Sequence, residues 1–127
     1  FKAEIISPEK IIFSNETTIT VLPSYEGDMS ILKNHISIIT FLRPGIIKIK
    51  KNDENFDNFF VQDGIVEYFN DNLVILSATA INVKDISKGF LDDLNKDTLA
   101  KLAEKYVSDH DRYILNHKLD VMQHIRT

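Results

Sequence analysis

From Phe1 to about Thr79 apolar and polar positions alternate in short runs with a period of two. The runs are Lys2 to Ile6, Lys10 to Phe13, Thr17 to Leu22, Ile36 to Leu42, Ile46 to Lys50, Phe59 to Gln62, Val66 to Phe69 and Leu73 to Ala78. Between them stand Pro8, Pro23, Gly27, Pro44-Gly45, Asn52 to Asn55, Asp63-Gly64 and Asn70 to Asn72. Breaks at intervals of about 8 to 12 residues belong to an all-β sandwich or barrel, and β-branched and aromatic residues suit its half-buried surfaces. Thr18-Ile19-Thr20-Val21 and Ile47-Lys48-Ile49-Lys50 alternate most cleanly, as antiparallel strands with one wet face do. Ile36 to Leu42 is apolar on both faces, which predicts a strand deep in the sandwich. Pro44-Gly45 suits the central positions of a type II turn, and so predicts that the strand before it pairs with the strand after it. Before that strand, Tyr25-Glu26-Gly27-Asp28 reads as an acidic turn and the following residues as a polar loop ending in His35. Both set charged groups beside a strand that the core holds rigid.

Near Val83 the period changes to 3.6 and charged helix formers replace β-branched residues. Asp85 or Ser87 can cap a first helix with apolar positions Phe90, Leu91, Leu94, Leu99, Leu102, Ala103 and Tyr106, out of phase once near Lys96. Gly89 weakens its first turn. Ser108-Asp109-His110-Asp111 reads as a turn with capping residues, and Ile114, Leu115, Val121, Met122 and Ile125 mark a second helix. The predicted fold is mainly β and then α: a β-sandwich domain over residues 1–84, followed by a C-terminal α-helical hairpin over 85–127.

Composition narrows the chemistry. The 127 residues are 43% hydrophobic and 27% charged, ordinary for one globular domain with a small appendage. A net charge of −4 and the lack of a basic cluster beyond Lys48-Ile49-Lys50-Lys51 argue against nucleic acid. With no Cys there are no disulfides, thiol nucleophiles or Cys-bound zinc, which fits a reducing compartment. No apolar run approaches the roughly 18 residues of a membrane span, and Phe1 to Ile6 alternates rather than forming a signal-peptide block, so a soluble or peripheral protein is expected. Gly27, Gly45, Gly64 and Gly89 are too scattered for a dinucleotide fingerprint or a Walker A loop. No Ser sits in a nucleophile elbow and no carboxylate pair stands out, so catalysis is not expected. His110, His117 and His124 recur every seven residues, each step rising about 10.5 Å, so they cannot meet at one metal. His117, Asp120 and His124 form a tighter set, read as a polar helix face with an Asp–His pair. No metal or cofactor is predicted.

Several short segments occur together in order and spacing. They are Ser7-Pro8-Glu9-Lys10 with Phe13-Ser14, Glu26-Gly27-Asp28 leading to Ile31 and His35, Leu42-Arg43-Pro44-Gly45, and Gly64-Ile65-Val66-Glu67 with Val74 to Ala78. On a sandwich followed by a helical hairpin, this series resembles the epsilon subunit of the F-type ATP synthase, called delta in mitochondria. The resemblance implies a non-catalytic rotor subunit of the central stalk. Its sandwich would bind the gamma subunit and rest on the c-ring loops, peripheral to the membrane on the cytoplasmic face of a bacterial inner membrane. Glu26, Asp28 and His35 are carried over as positions facing the c-ring, and Ser7 as an interface position. The family's hairpin folds down on the sandwich or extends toward the alpha/beta catalytic head and blocks ATP hydrolysis. Some members bind ATP there through an Asp and an Arg that Ile86-Ser87-Lys88-Gly89-Phe90-Leu91 lacks. The family's Pro-Gly-His-Ala-Pro loop is here Lys33-Asn34-His35-Ile36-Ser37, which keeps the His. Arg112, Lys118 and Arg126 are scattered along the second helix, which implies weak inhibition. A second reading, from the residues alone, is a sandwich binding a small ligand or carbohydrate in a groove lined by Phe59, Tyr68 and Phe69, with the hairpin as a lid.

Overall fold

The computed structural model describes residues 1–51 and 55–126; of the expected breaker Asn52 to Asn55, only Asn55 lies within them, and the Arg126 side chain lies outside. The strands are β1 (Lys2–Ile6), β2 (Ile11–Glu16), β3 (Ile19–Ser24), β4 (Gly27–Leu32), β5 (Ile38–Leu42), β6 (Gly45–Lys50), β7 (Phe56–Val61), β8 (Gly64–Phe69), β9 (Asn72–Leu76) and β10 (Ile81–Asn82). They join in the order β10-β7-β6-β3-β5-β8-β9-β1-β2, with β4 on β3. All ladders are antiparallel except β1 with β9.

This order folds into two layers because β3 changes partners along one edge. It pairs with β6 from Ile19 to Val21, and with β5 only at Ser24 opposite Leu42. Pro23 has no N–H to continue the first ladder. It serves the second layer instead, its carbonyl accepting from the Arg43 N–H at 3.0 Å. One layer is then β4-β3-β6-β7-β10 and the other β5-β8-β9-β1-β2. Their inner faces share one core, in which Leu22, Ile31, Ile47, Ile49 and Phe59 meet Ile5, Val66, Tyr68, Leu73 and Ile75.

Three expectations are corrected here. The residues after Tyr25 are not a loop: Gly27 to Leu32 forms β4, in a hairpin with β3, and Ile31 is fully buried. The strands flanking Pro44-Gly45 do not pair. β5 runs beside β8, β6 lies between β3 and β7, and among the described glycines the positive φ belongs to Gly27, at +122°. Gly45 is required by packing, since a Cβ there would overlap the Cβ of Pro23 and lie 2.8 Å from its Cγ. Ile36 to Leu42 is not deep either: Leu42 is buried, while Ile36, Ile39 and Phe41 are exposed.

Val83–Asp85 is a 3₁₀ turn, so Ser87 rather than Asp85 caps α1 (Lys88–Leu102), its Oγ accepting from the Phe90 N–H at 3.0 Å. α1 buries Leu91 and Thr98; Leu99, next to the phase slip, is half exposed, and Tyr106 lies beyond the helix. α2 is Asp109–Arg126, and Ser108 Oγ accepts from the Asp111 N–H at 3.0 Å, so the expected turn is the start of the helix. Along β7, Phe59 and Val61 face the sandwich core while Phe60 faces the other way, as a pleated strand requires. Phe60 is fully buried with Leu91 and Met122, flanked by Ile46, Val83 and Leu119. The hairpin therefore covers the outer face of the first layer with a core of its own.

Candidate partner-binding faces

Among the described residues, nothing covers the outer face of the second layer in this way. On β5, β8 and β9 the positions that alternate with core residues include Ile39, Phe41, Ile65, Phe69 and Leu76, with Glu67 the charged exception opposite Ile39, where an antiparallel face open to water carries mostly polar residues. Phe41 lies opposite Ile65 and Ile65 opposite Leu76, and the three are 57%, 45% and 49% exposed. A contiguous apolar strip of this kind marks an interaction surface. At one end it runs into a groove of about 640 Å³ lined by Ser7, Tyr25, Phe41, Ile65, Leu76 and Ala78. Ser7 is fixed there by its own turn: its Oγ lies 3.0 Å from the Lys10 carbonyl, to which it donates, and 3.2 Å from the Lys10 N–H.

The acidic turn stands at the same end. Ser24 Oγ donates to the Gly27 carbonyl at 2.6 Å, and the left-handed φ of Gly27 closes the hairpin. Asp28 accepts from Arg43 Nη2 at 3.0 Å, and Arg43 Nη1 donates to the Pro44 carbonyl, so the charge of Asp28 is partly matched within the chain. Glu26 is exposed, and among the described residues it has no ion pair.

His35 lies at the opposite end of β4. Asp28 is about 13 Å from Leu32 along the strand, and His35 is farther still. The structure thus groups Ser7, Glu26 and Asp28 but not His35. The His35 loop is held by the β8–β9 turn, where Asn70 and Asp71 both have positive φ, as two-residue hairpin turns favour. The Asp71 carboxylate accepts from the Tyr68 hydroxyl at 2.7 Å and from the Asn34 N–H at 3.1 Å. These two bonds, the Tyr68 one first, hold the Asp71 carboxyl below its usual range; burial and then Asp71 push the Tyr68 hydroxyl up. Asn34 takes φ +65°, a left-handed conformation that Asn adopts more readily than most residues. His35 Nδ1 donates to the Ile36 carbonyl at 2.7 Å, and its ring meets Tyr68 edge-on at 5.8 Å.

Residues 1–83 match the family model described as ATP synthase, Delta/Epsilon chain, beta-sandwich domain. The chain belongs to the ATP synthase delta/epsilon chain family. It is 45% identical to the ATP synthase epsilon chain of Pelagibacter ubique (strain HTCC1062) over 125 residues, covering 97% of this chain and 95% of that one. The epsilon chain of Bordetella avium (strain 197N) is 39% identical over 85 residues, 67% of this chain and 60% of that one. Among solved structures, a chain of the Euglena gracilis mitochondrial ATP synthase OSCP/F1/c-ring assembly superposes with a TM-score of 0.75 at 17% identity, over 98% of this chain and 78% of that one. A chain of the Tetrahymena thermophila mitochondrial ATP synthase central stalk/c-ring follows at 0.66 and 14%, over 99% and 96%. At such identities the superposition shows the shared fold.

In this delta/epsilon family member the hairpin histidines do not converge. His117 Nδ1 meets the Tyr113 carbonyl at 3.0 Å and His124 Nδ1 the Asp120 carbonyl at 2.9 Å. His110 instead stacks on Tyr25, and Tyr113 does so too. This contact joins positions far apart in sequence; the spacing of His110 and Tyr113, three apart on a helix, is its only sequence signal. Lys118 is buried, on the helix face that also carries Leu115 and Met122, rather than displayed. Burial, and then the Lys101 charge, lower its pKa from 10.5, against opposing pulls from Asp97 and Asp63. Between the lowered folded value and the unfolded one the unfolded chain binds more protons, so stability rises with pH in that window. Lys118→Met is expected to be at least as stable as the parent near neutral pH and to lose part of that rise, as denaturant midpoints taken at pH 7 and above will record.

Proposed function

We propose that this chain is a non-catalytic rotor subunit of the ATP synthase central stalk, which passes rotation of the gamma subunit to the membrane c-ring. The observation that carries the reading is the exposed ladder Phe41–Ile65–Leu76 with its adjoining groove, an apolar face suited to a permanent partner, which we assign to gamma. Ser7 borders that seat. Glu26 and Asp28 project at the same end as acidic contacts for basic c-ring loops, where opposite charge fixes register more than it adds affinity. His35, at the far end of β4, makes a separate contact with the same ring or with the stalk. A close-packed sandwich supports such a role because it transmits strain without yielding. Residues 1–84 are the stiff body, and 85–127 the arm that reaches the alpha/beta head when released.

No described helix is long and apolar enough to cross a membrane. The chain sits peripherally, through the complex, on the cytoplasmic face of a bacterial inner membrane. Purified from detergent-solubilised membranes, it is expected to bring down gamma and the c-ring, and a stable assembly containing neither rejects the proposal. Asp28→Lys is expected to weaken seating on the ring while shifting the melting temperature of the free chain little, because an exposed ion pair contributes about 0–1 kcal/mol. A large fall in melting temperature would make Asp28 a structural residue instead. The ligand-binding alternative loses its groove: Phe59 and Tyr68 are 2% and 1% exposed in the core, and Phe69 points outward without them.

A further inference from the structure

Among the described residues, the hairpin meets the sandwich at places of different character. One is the small core around Phe60, Leu91 and Met122, which shares no residue with the sandwich core. Another lies about 18 Å earlier along α2, where His110 and Tyr113 share one helix face. Both rings stack on Tyr25: the His110 centroid is 5.9 Å away with the planes 17° apart, and that of Tyr113 is 6.0 Å away at 19°. The Tyr113 hydroxyl also donates to the Tyr25 carbonyl at 3.3 Å. Burial, followed by Tyr113 and Asp63, pushes the Tyr25 hydroxyl above its ordinary value, in keeping with a ring that the helix covers in part, leaving 38% of the residue exposed.

The aim of that ring is set from the sandwich side. The Tyr25 N–H donates to the Phe41 carbonyl at 3.2 Å, and the Ser24–Gly27 bond closes the turn beneath it. Tyr25 therefore belongs at once to the acidic turn, to the groove lined by Phe41 and to the seat of the hairpin. Because the two cores are separate, the helices can open as a cooperative unit while the sandwich stays folded.

We propose that Tyr25 is a clasp: stacking of its ring on His110 and Tyr113 sets how often the first turns of α2 leave the sandwich. Through the turn that it shares with Glu26 and Asp28, it ties that opening to whatever the acidic turn touches. This coupling, unlike the clasp, rests on the partner reading given above.

Hydrogen exchange on the full chain tests both parts. In the free chain, Tyr25→Ala is expected to speed exchange of the amides of residues 113–119 by about tenfold or more, since each offset stack is worth a factor of roughly 2 to 12. His110→Ala, which removes one stack from the helix side, is expected to speed it a few-fold. Tyr25→Phe is expected to exchange at the parent rate, because the ring remains and the carbonyl that Tyr113 bonds is main chain. β1 and β9 are expected to be unaffected in all three. Unchanged exchange in α2 with both alanine variants overturns the clasp, and so does equal acceleration in β1 and β9, which makes Tyr25 part of the general fold. In the assembled complex the parent chain is expected to exchange in α2 at least threefold differently from the free chain, and an equal rate overturns the coupling. Failure to enter the complex overturns the partner reading and the coupling with it, while the free-chain result still decides the clasp.

Discussion

Phe41→Asp is expected to leave the chain folded and to weaken its binding to the partner on its apolar face by roughly 30- to 1,000-fold. The range follows from about 2–4 kcal/mol for truncating an aromatic anchor at the centre of an interface. In the proposed interface Phe41 takes that place. It lies opposite Ile65 on β8, lines the groove with Ser7 and Tyr25, and has 57% of its surface exposed in the free chain. A charge there is solvated in the free chain, so the melting temperature should hardly move; in the bound state it would be buried without a counter-charge. Leu99→Asp, at a site 50% exposed on α1, is the matched control and should bind as the parent does. Titration of each variant against the purified partner provides the measurement. Equal affinity for the parent and Phe41→Asp would show that the interface lies elsewhere.

Phe60→Ala should act in the opposite way, on the fold and not on the apolar strip. A fully buried Phe replaced by Ala costs about 3–5 kcal/mol, in lost burial and in the cavity left behind. Phe60 joins Leu91 and Met122 rather than the sandwich core, so the loss falls on the junction between hairpin and sandwich. The helices should become sensitive to protease under conditions in which the sandwich stays intact. Phe59→Ala supplies the contrast: one residue earlier on the same strand, it faces the other core and should lower the stability of the sandwich itself. If the two variants gave the same pattern of cleavage, the two cores would not be separate units.

Much of this arrangement was legible in the chain. Breakers at regular intervals and period-two runs marked most strands, and the change of period near Val83 marked the hairpin, because each signal depends on local chemistry alone. β4 escaped because Asp28 and Ser30, on its wet face, made a strand resemble a polar loop; Met29 and Ile31 were the signal. Glu26, Asp28 and Ser7 were picked out by motif, and the fold gathers them at one end of the sandwich. It leaves His35 at the other end, since β4 is the distance between them.

The sequence by itself determined that there would be strands, a hairpin and an acidic turn, for these follow from residues that are neighbours in the chain. Only the tertiary structure decided which apolar residues meet each other and which are left for another molecule. Ile39 and Phe41 are chemically equivalent to the residues that fill the core, and water disfavours both kinds of exposed surface alike. Whether such a face is covered from within depends on which layer folds over it. The same holds for Tyr25 and His110: stacking is a short-range contact, and nothing local in the chain records that the second helix returns to that turn.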